Sequence, residues 1–138
     1  MNRDLSSLRS CLENIIEAID NVRLHTKGIP LQDINKPDHF TAARAVVYEL
    51  VLIGETLHRI QEHSPGFAAK HGDLKFDAAY KMRNIMVHAY GMVDLDFVVD
   101  TIARELPVMR ERFKGALADI DAAQSGSTSS PLAIFWAS

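Results

Sequence analysis

Leu5, Leu8, Leu12, Ile15, Ile19 and Val22 fall three and four residues apart, with mostly polar residues between them. On a helix turning about 100° per residue these six share one face, and the chain must bury that face. A strand would throw alternate residues to opposite sides. The three-four period returns further along, no run alternates with period two, and no repeat at solenoid spacing is visible. The chain is therefore expected to be all-α.

The first helix should end near Lys27-Gly28, with Pro30 beyond it as a stop. "KGIPLQDINKPDHF" follows, with two prolines, a glycine and turn formers, and reads as irregular. A second long helix is expected from Asp38 to Glu62. Its stripe runs through Phe40, Ala43, Val47, Leu50, Ile53/Gly54, Leu57 and Ile60/Gln61. It is apolar over most of its circumference near Ala45–Ile53, as for the central helix of a bundle or one packed against a partner subunit. Ser64-Pro65 reads as an N-cap and first-turn pair for a short helical turn to His71. A third main helix should span Leu74–Ala89, ended or broken by Gly91. Asp94 then caps a fourth, "LDFVVDTIARELPVMRERFKGALADI". Pro107 lies inside it, so a kink is expected there, or two helices end to end.

A length of 138 residues fits one domain with its own core, and 47% apolar with 24% charged residues suits a globular chain. We divide it into a helical domain, residues 1–122, and a tail, residues 123–138, in which a Ser/Gly-rich spacer leads to "PLAIFWAS". The tail is either a loose terminus or a segment that docks on a partner. Cys11 is the only cysteine, so no internal disulfide can form. "MNRDLSSLRS" carries no apolar signal region and no run is long enough to span a bilayer, so a cytoplasmic protein with no membrane association is expected. The net charge of −3 argues against nucleic-acid binding by bulk attraction; RNA or DNA would need a local basic patch, or an oligomer that concentrates one.

Metal chemistry finds little support. Glu55 and His58 form one Glu-x-x-His pair, whereas di-iron bundles use two with further glutamates. Glu62 and His63 are adjacent and point apart, and no cysteine-based zinc spacing exists. Solvated polar residues are the better account, and no metal or cofactor is expected. Glycine-rich phosphate loops and the Gly-x-Ser-x-Gly nucleophile turn are also absent, and Cys11 reads as a boundary residue.

"MRNIMVHAY", residues 82–90, is different, because Arg83, Asn84, His88 and Tyr90 crowd into an apolar pattern. Arg83 and His88 would lie about 140° apart on an unbroken helix. They converge only if the helix ends near His88, or if a two-fold axis brings two copies into one cleft. Arginine clamps phosphate, histidine moves a proton near neutral pH, asparagine donates to a phosphate oxygen or orients the histidine, and tyrosine adds a hydroxyl and a stacking face. Together they suit metal-free RNA cleavage, in which the 2′-hydroxyl attacks its own phosphate. The competing account is that Arg83 and His88 only cap a helix end. Lys70, His71, Lys75 and Lys81 outnumber Asp73 and Asp77 nearby, a modest positive bias.

The stretch Arg83-Asn84-Ile85-Met86-Val87-His88-Ala89-Tyr90 resembles the Arg-x4–6-His signature of HEPN domains, in the Arg-Asn-x-x-x-His-x-Tyr form of the HepT-like ribonuclease toxins. Ile53-Gly54-Glu55, Val93-Asp94 and Glu105-Leu106-Pro107 are similar to further stretches of that branch, and the resemblance covers roughly residues 3–120. It implies an up-and-down bundle of four to five helices and a homodimer with the motif near the subunit interface. Arg83 and His88 would be the catalytic pair, supported by Asn84. It implies a toxin of a type VII-like toxin–antitoxin system, cutting RNA such as tRNA or mRNA. The cognate minimal nucleotidyltransferase antitoxin would silence it by adding AMP to Tyr90. Some HEPN domains cut nothing, so a non-catalytic dimeric module binding nucleotide or a partner is the alternative.

Overall fold

The computed structural model describes residues 2–74 and 95–127, with side chains over 7–74 and 96–123. Every regular element among them is helical. Helix α1 covers Asn2–His25 and α2 covers Phe40–His63. A short α3, Pro65–Lys70, and a 3-10 turn, Gly72–Leu74, follow. Beyond the undescribed stretch, α4 is Leu95–Asp100 and α5 is Leu106–Ser127, joined by a π-helical turn, Thr101–Glu105. Helix α1 lies against both α2 and α5, which makes this part of the chain an all-α bundle. The expected third helix and the apolar end of the tail lie outside the described residues.

The one-sided period of α1 predicts its burial well. Leu8, Leu12, Ile15, Ile19 and Val22 all lie in the core, joined by Ala18. Each fully buried Leu, Ile or Val contributes roughly 1.5–3 kcal/mol relative to exposure. The helix ends as its last residues suggest. The Thr26 N–H and hydroxyl both donate to the Val22 carbonyl, at 3.1 and 2.9 Å. Gly28 then takes φ +79°, a left-handed conformation that a side chain would strain. The "irregular" connection holds two 3-10 turns, Leu31–Asp33 and Pro37–His39, and buries Ile34.

The expected stripe of α2 holds over most of its length: Leu50, Ile53, Gly54, Leu57 and Ile60 are all buried. It departs at the start. Phe40 is 59% exposed, beneath the Arg44 guanidinium at 5.3 Å, and Val47 is only half-buried. Val46 and Glu49 are buried there instead, and Thr56 is buried further on. Apolar residues on nearly all sides of Ala45–Ile53 left that part of the stripe open. Ser64 also departs from expectation. It stands at the start of α3 with Pro65 after it, but its hydroxyl makes no capping bond. Ser64 also closes α2, donating its N–H to the Ile60 carbonyl at 2.7 Å, and its φ of −137° and ψ of 59° suit that double duty.

The interruption near Pro107 is the π turn. Leu106 donates to the carbonyl of Thr101, five residues back. Proline has no N–H to give, and in a regular helix its ring would press on the Ala103 carbonyl; the wider turn relieves both. Phe113, Ala116 and Ile120 of α5 then complete the core against α1 and α2.

Candidate functional site

The expected site residues Arg83, Asn84, His88 and Tyr90 lie outside the described residues, as do Lys75, Asp77 and Lys81. The frame from which that segment leaves and to which it returns is described. On the entry side, the Leu74 side chain is buried in the core and its N–H reaches the His71 carbonyl at 3.0 Å. Arg112 on α5 donates to the Asp73 carbonyl at 2.8 Å, tying this turn to the last helix. The Phe67 ring stacks on His71 with centroids 4.3 Å apart. Lys70 and Asp73 are exposed, so this shoulder carries charges of both signs. On the return side, Val98 and Ile102 enter the core, and the Thr101 hydroxyl donates to the Phe97 carbonyl at 2.8 Å. On either side of the undescribed residues the chain is held in the core, by Leu74 before them and Val98 after.

The other residues singled out from sequence fall in separate places. Glu55 is exposed, and His58 pairs with Glu62 one turn on, at 3.1 Å. Among the described residues no three His, Cys, Asp or Glu side chains gather as a metal site would need. Cys11 is half-buried, free and packed against the core. No helix among the described residues is long and apolar enough to cross a membrane.

One polar residue was missed in sequence. Glu49 is only 6% exposed. One carboxylate oxygen receives the Asn21 amide at 3.4 Å and lies 3.9 Å from His25 Nε2. The other oxygen, Oε2, is buried with no hydrogen-bond partner. A glutamate inside "VVYELVLIG" was the available signal, and a stripe drawn through Val47 and Leu50 passed over it.

The profile of the family described as Ribonuclease HepT-like matches residues 15–115, which span the motif and both Leu74 and Val98. A candidate RNase from Caldanaerobacter subterraneus subsp. tengcongensis is 28% identical over 109 residues, covering 79% of this chain and 93% of that protein. A candidate ribonuclease HepT from Thermococcus cleftensis is 28% identical over 110 residues, 78% of this chain and 94% of that one. A gamma-glutamylcyclotransferase and candidate RNase from Methanocaldococcus jannaschii is 24% identical over 113 residues, covering 80% of this chain and 47% of that protein. No solved structure gives a significant match.

Proposed function

The chain belongs to the HepT-like ribonuclease family, and from that premise we propose that it is an endoribonuclease toxin that cuts RNA without a metal ion. The observation that carries this is an unbroken Arg-Asn-x-x-x-His-x-Tyr motif, residues 83–90, inside the matched span. The ribose 2′-hydroxyl attacks the adjacent phosphorus. A P–O2′ bond forms, the P–O5′ bond breaks, and the products are a 2′,3′-cyclic phosphate and a 5′-hydroxyl. His88 takes the proton from the 2′-hydroxyl or delivers one to the leaving oxygen. Arg83 holds the non-bridging oxygens as charge builds on them, and Asn84 supports that grip.

Control would come from a nucleotidyltransferase antitoxin. The Tyr90 phenol attacks the α-phosphorus of ATP, pyrophosphate leaves, and AMP stays on the tyrosine. The added phosphate and base beside Arg83 would block substrate by charge and bulk. The protein would act as a homodimer in the cytoplasm, where its RNA is. The outer face of α2 supports the dimer, with Phe40 at 59% and Tyr48 at 66% exposure offering aromatic surface to a second copy.

Purified wild type and His88→Ala, incubated with RNA in EDTA, test the reading. Wild type should cut and His88→Ala should lose cleavage by at least about a hundredfold, the lower end of what a general acid–base group supplies. Full activity in that variant, or inhibition by EDTA, would sink it. Co-expression with the neighbouring nucleotidyltransferase should raise the mass by whole AMP units, and Tyr90→Phe should prevent it. The net charge of −3, unfavourable to a long RNA strand, favours the second reading, a non-catalytic dimeric module that binds nucleotide or a partner. Tight binding with no scission by wild type would select it.

A further inference from the structure

Where the amino-terminal half of α1 meets the last turn of α2, a half-open pocket of about 80 Å3 enters the bundle. That is well above the roughly 10–15 Å3 one water needs. Its floor is apolar, made by Leu8 and Ile60. Its rim is not. Arg59 and His63 stand four residues apart on one face of α2, facing the Ser7 hydroxyl and the Cys11 thiol, with Ser64 closing the end.

Arg59 sets the character of the place. Arg9, Arg104 and Arg110 are held by carboxylates, and Arg112 by a backbone carbonyl. Arg59 makes no ion pair or hydrogen bond among the described residues. Two acids lie one turn away on its helix, Glu55 and Glu62; Glu62 pairs with His58 at 3.1 Å, and neither pairs with Arg59 among the described residues. The carboxyl end of α2 is the negative end of its dipole, and the Arg59 and His63 side chains stand beside it, where a cation is favoured.

We propose that the pocket between α1 and α2 is a phosphate-binding site, in which Arg59 clamps a tetrahedral oxyanion and Ser7, Ser64 and His63 complete its hydrogen bonds. Arginine's fork matches two phosphate oxygens at once, and hydroxyls donate to the others. A free phosphate and the backbone of a bound RNA strand share this chemistry. The strand form rests on the RNA-cleaving reading, while the small-anion form does not.

Cys11, the only thiol in the chain, lines the pocket and reports its occupancy. The test is the rate of Cys11 alkylation by iodoacetamide, with and without inorganic phosphate, against chloride at matched ionic strength. Phosphate should slow alkylation saturably in wild type. Arg59→Gln should need at least about tenfold more phosphate for the same slowing, the loss expected of a charge-assisted bond, and Arg59→Lys should restore part of it. No slowing in wild type, or equal slowing in Arg59→Gln, overturns the site. Arg59 is exposed and makes no pair among the described residues, so circular dichroism should show the variant folded. A 2′-deoxy oligonucleotide, inert to 2′-hydroxyl attack, identifies the source. Protection by the oligonucleotide, with a salt slope shallower by about 0.7 in Arg59→Gln, assigns the site to the strand. Protection by inorganic phosphate alone assigns it to small phosphates. Loss of RNA cleavage in His88→Ala is read separately, so either reading can fail alone.

Discussion

Helix α1 presents one flank to α5 and another to α2, and polar groups are handled differently on the two. Toward α5, Arg110 grips Asp20 through two nitrogens at 2.7 and 3.2 Å, and Arg9 grips Asp121 at 2.7 and 3.4 Å. Arg9 also pairs with Glu13 on its own helix. These groups keep contact with water, so every charge is both paired and solvated. Toward α2, Glu49 is nearly out of solvent, held by one long bond from Asn21, with Oε2 bare. Exposed pairs gain little, because water already served them. A buried acceptor without a donor costs about 1–3 kcal/mol. The α5 flank is therefore tuned for register and the α2 flank carries a local deficit. Such deficits gather where a sequence is constrained by something other than stability.

The contrast is worth stating only if apolar burial on α2 outweighs both charge pairs. Leu50→Ala, at a fully buried α2 position, should lower stability by about 2–5 kcal/mol in urea unfolding. A loss under about 1 kcal/mol would mean that α2 is not packed as described, and the comparison would break there. Glu49→Gln is next in size. The amide keeps the shape and the Asn21 contact and removes an acceptor oxygen that has no donor. A change within about 1 kcal/mol is expected, the size of one net hydrogen bond. A fall of about 3 kcal/mol or more would show that the carboxylate is half of a buried ion pair, with His25 as its partner.

How much of this was legible follows from the residues. Helix α1 could be read because its apolar residues lie on one side; on α2, Leu50, Ile53, Leu57 and Ile60 could be read too, but not the buried positions before them, because Ala45–Ile53 offers apolar residues nearly all round. Glu49 was passed over for that reason. Pro107 announced a break, since a missing donor is a property of the residue, but not its π form, which depends on which carbonyl the chain gives up. Arg9–Asp121 and Arg110–Asp20 are separated by most of the chain, and nothing local marks them. The pocket beside Cys11 needs the register of α1 on α2, which periodicity does not supply. The motif at residues 83–90 was legible as chemistry, because residue type alone says what arginine, histidine and tyrosine can do. Whether its members share one cleft depends on backbone geometry in a segment outside the described residues.

The smallest expected effect lies on the α5 flank and shows itself with pH. Hydrogen bonds from Arg110 and Arg9 hold the Asp20 and Asp121 carboxyls below the usual carboxylate range, against a weaker opposing push from desolvation. With folded values below unfolded ones, these groups stabilise the fold above the ordinary carboxylate range, and that stabilisation disappears as pH falls through the folded values. Urea midpoints measured from neutral pH down to about pH 2 should therefore slope more steeply on the acid side in wild type than in Asp20→Asn/Asp121→Asn. At neutral pH the double variant should be only slightly weaker, because both pairs face solvent. Salt near 1 M should shrink the difference, since the Debye length there is about 3 Å. Equal acid slopes in the two proteins would assign the acid sensitivity elsewhere.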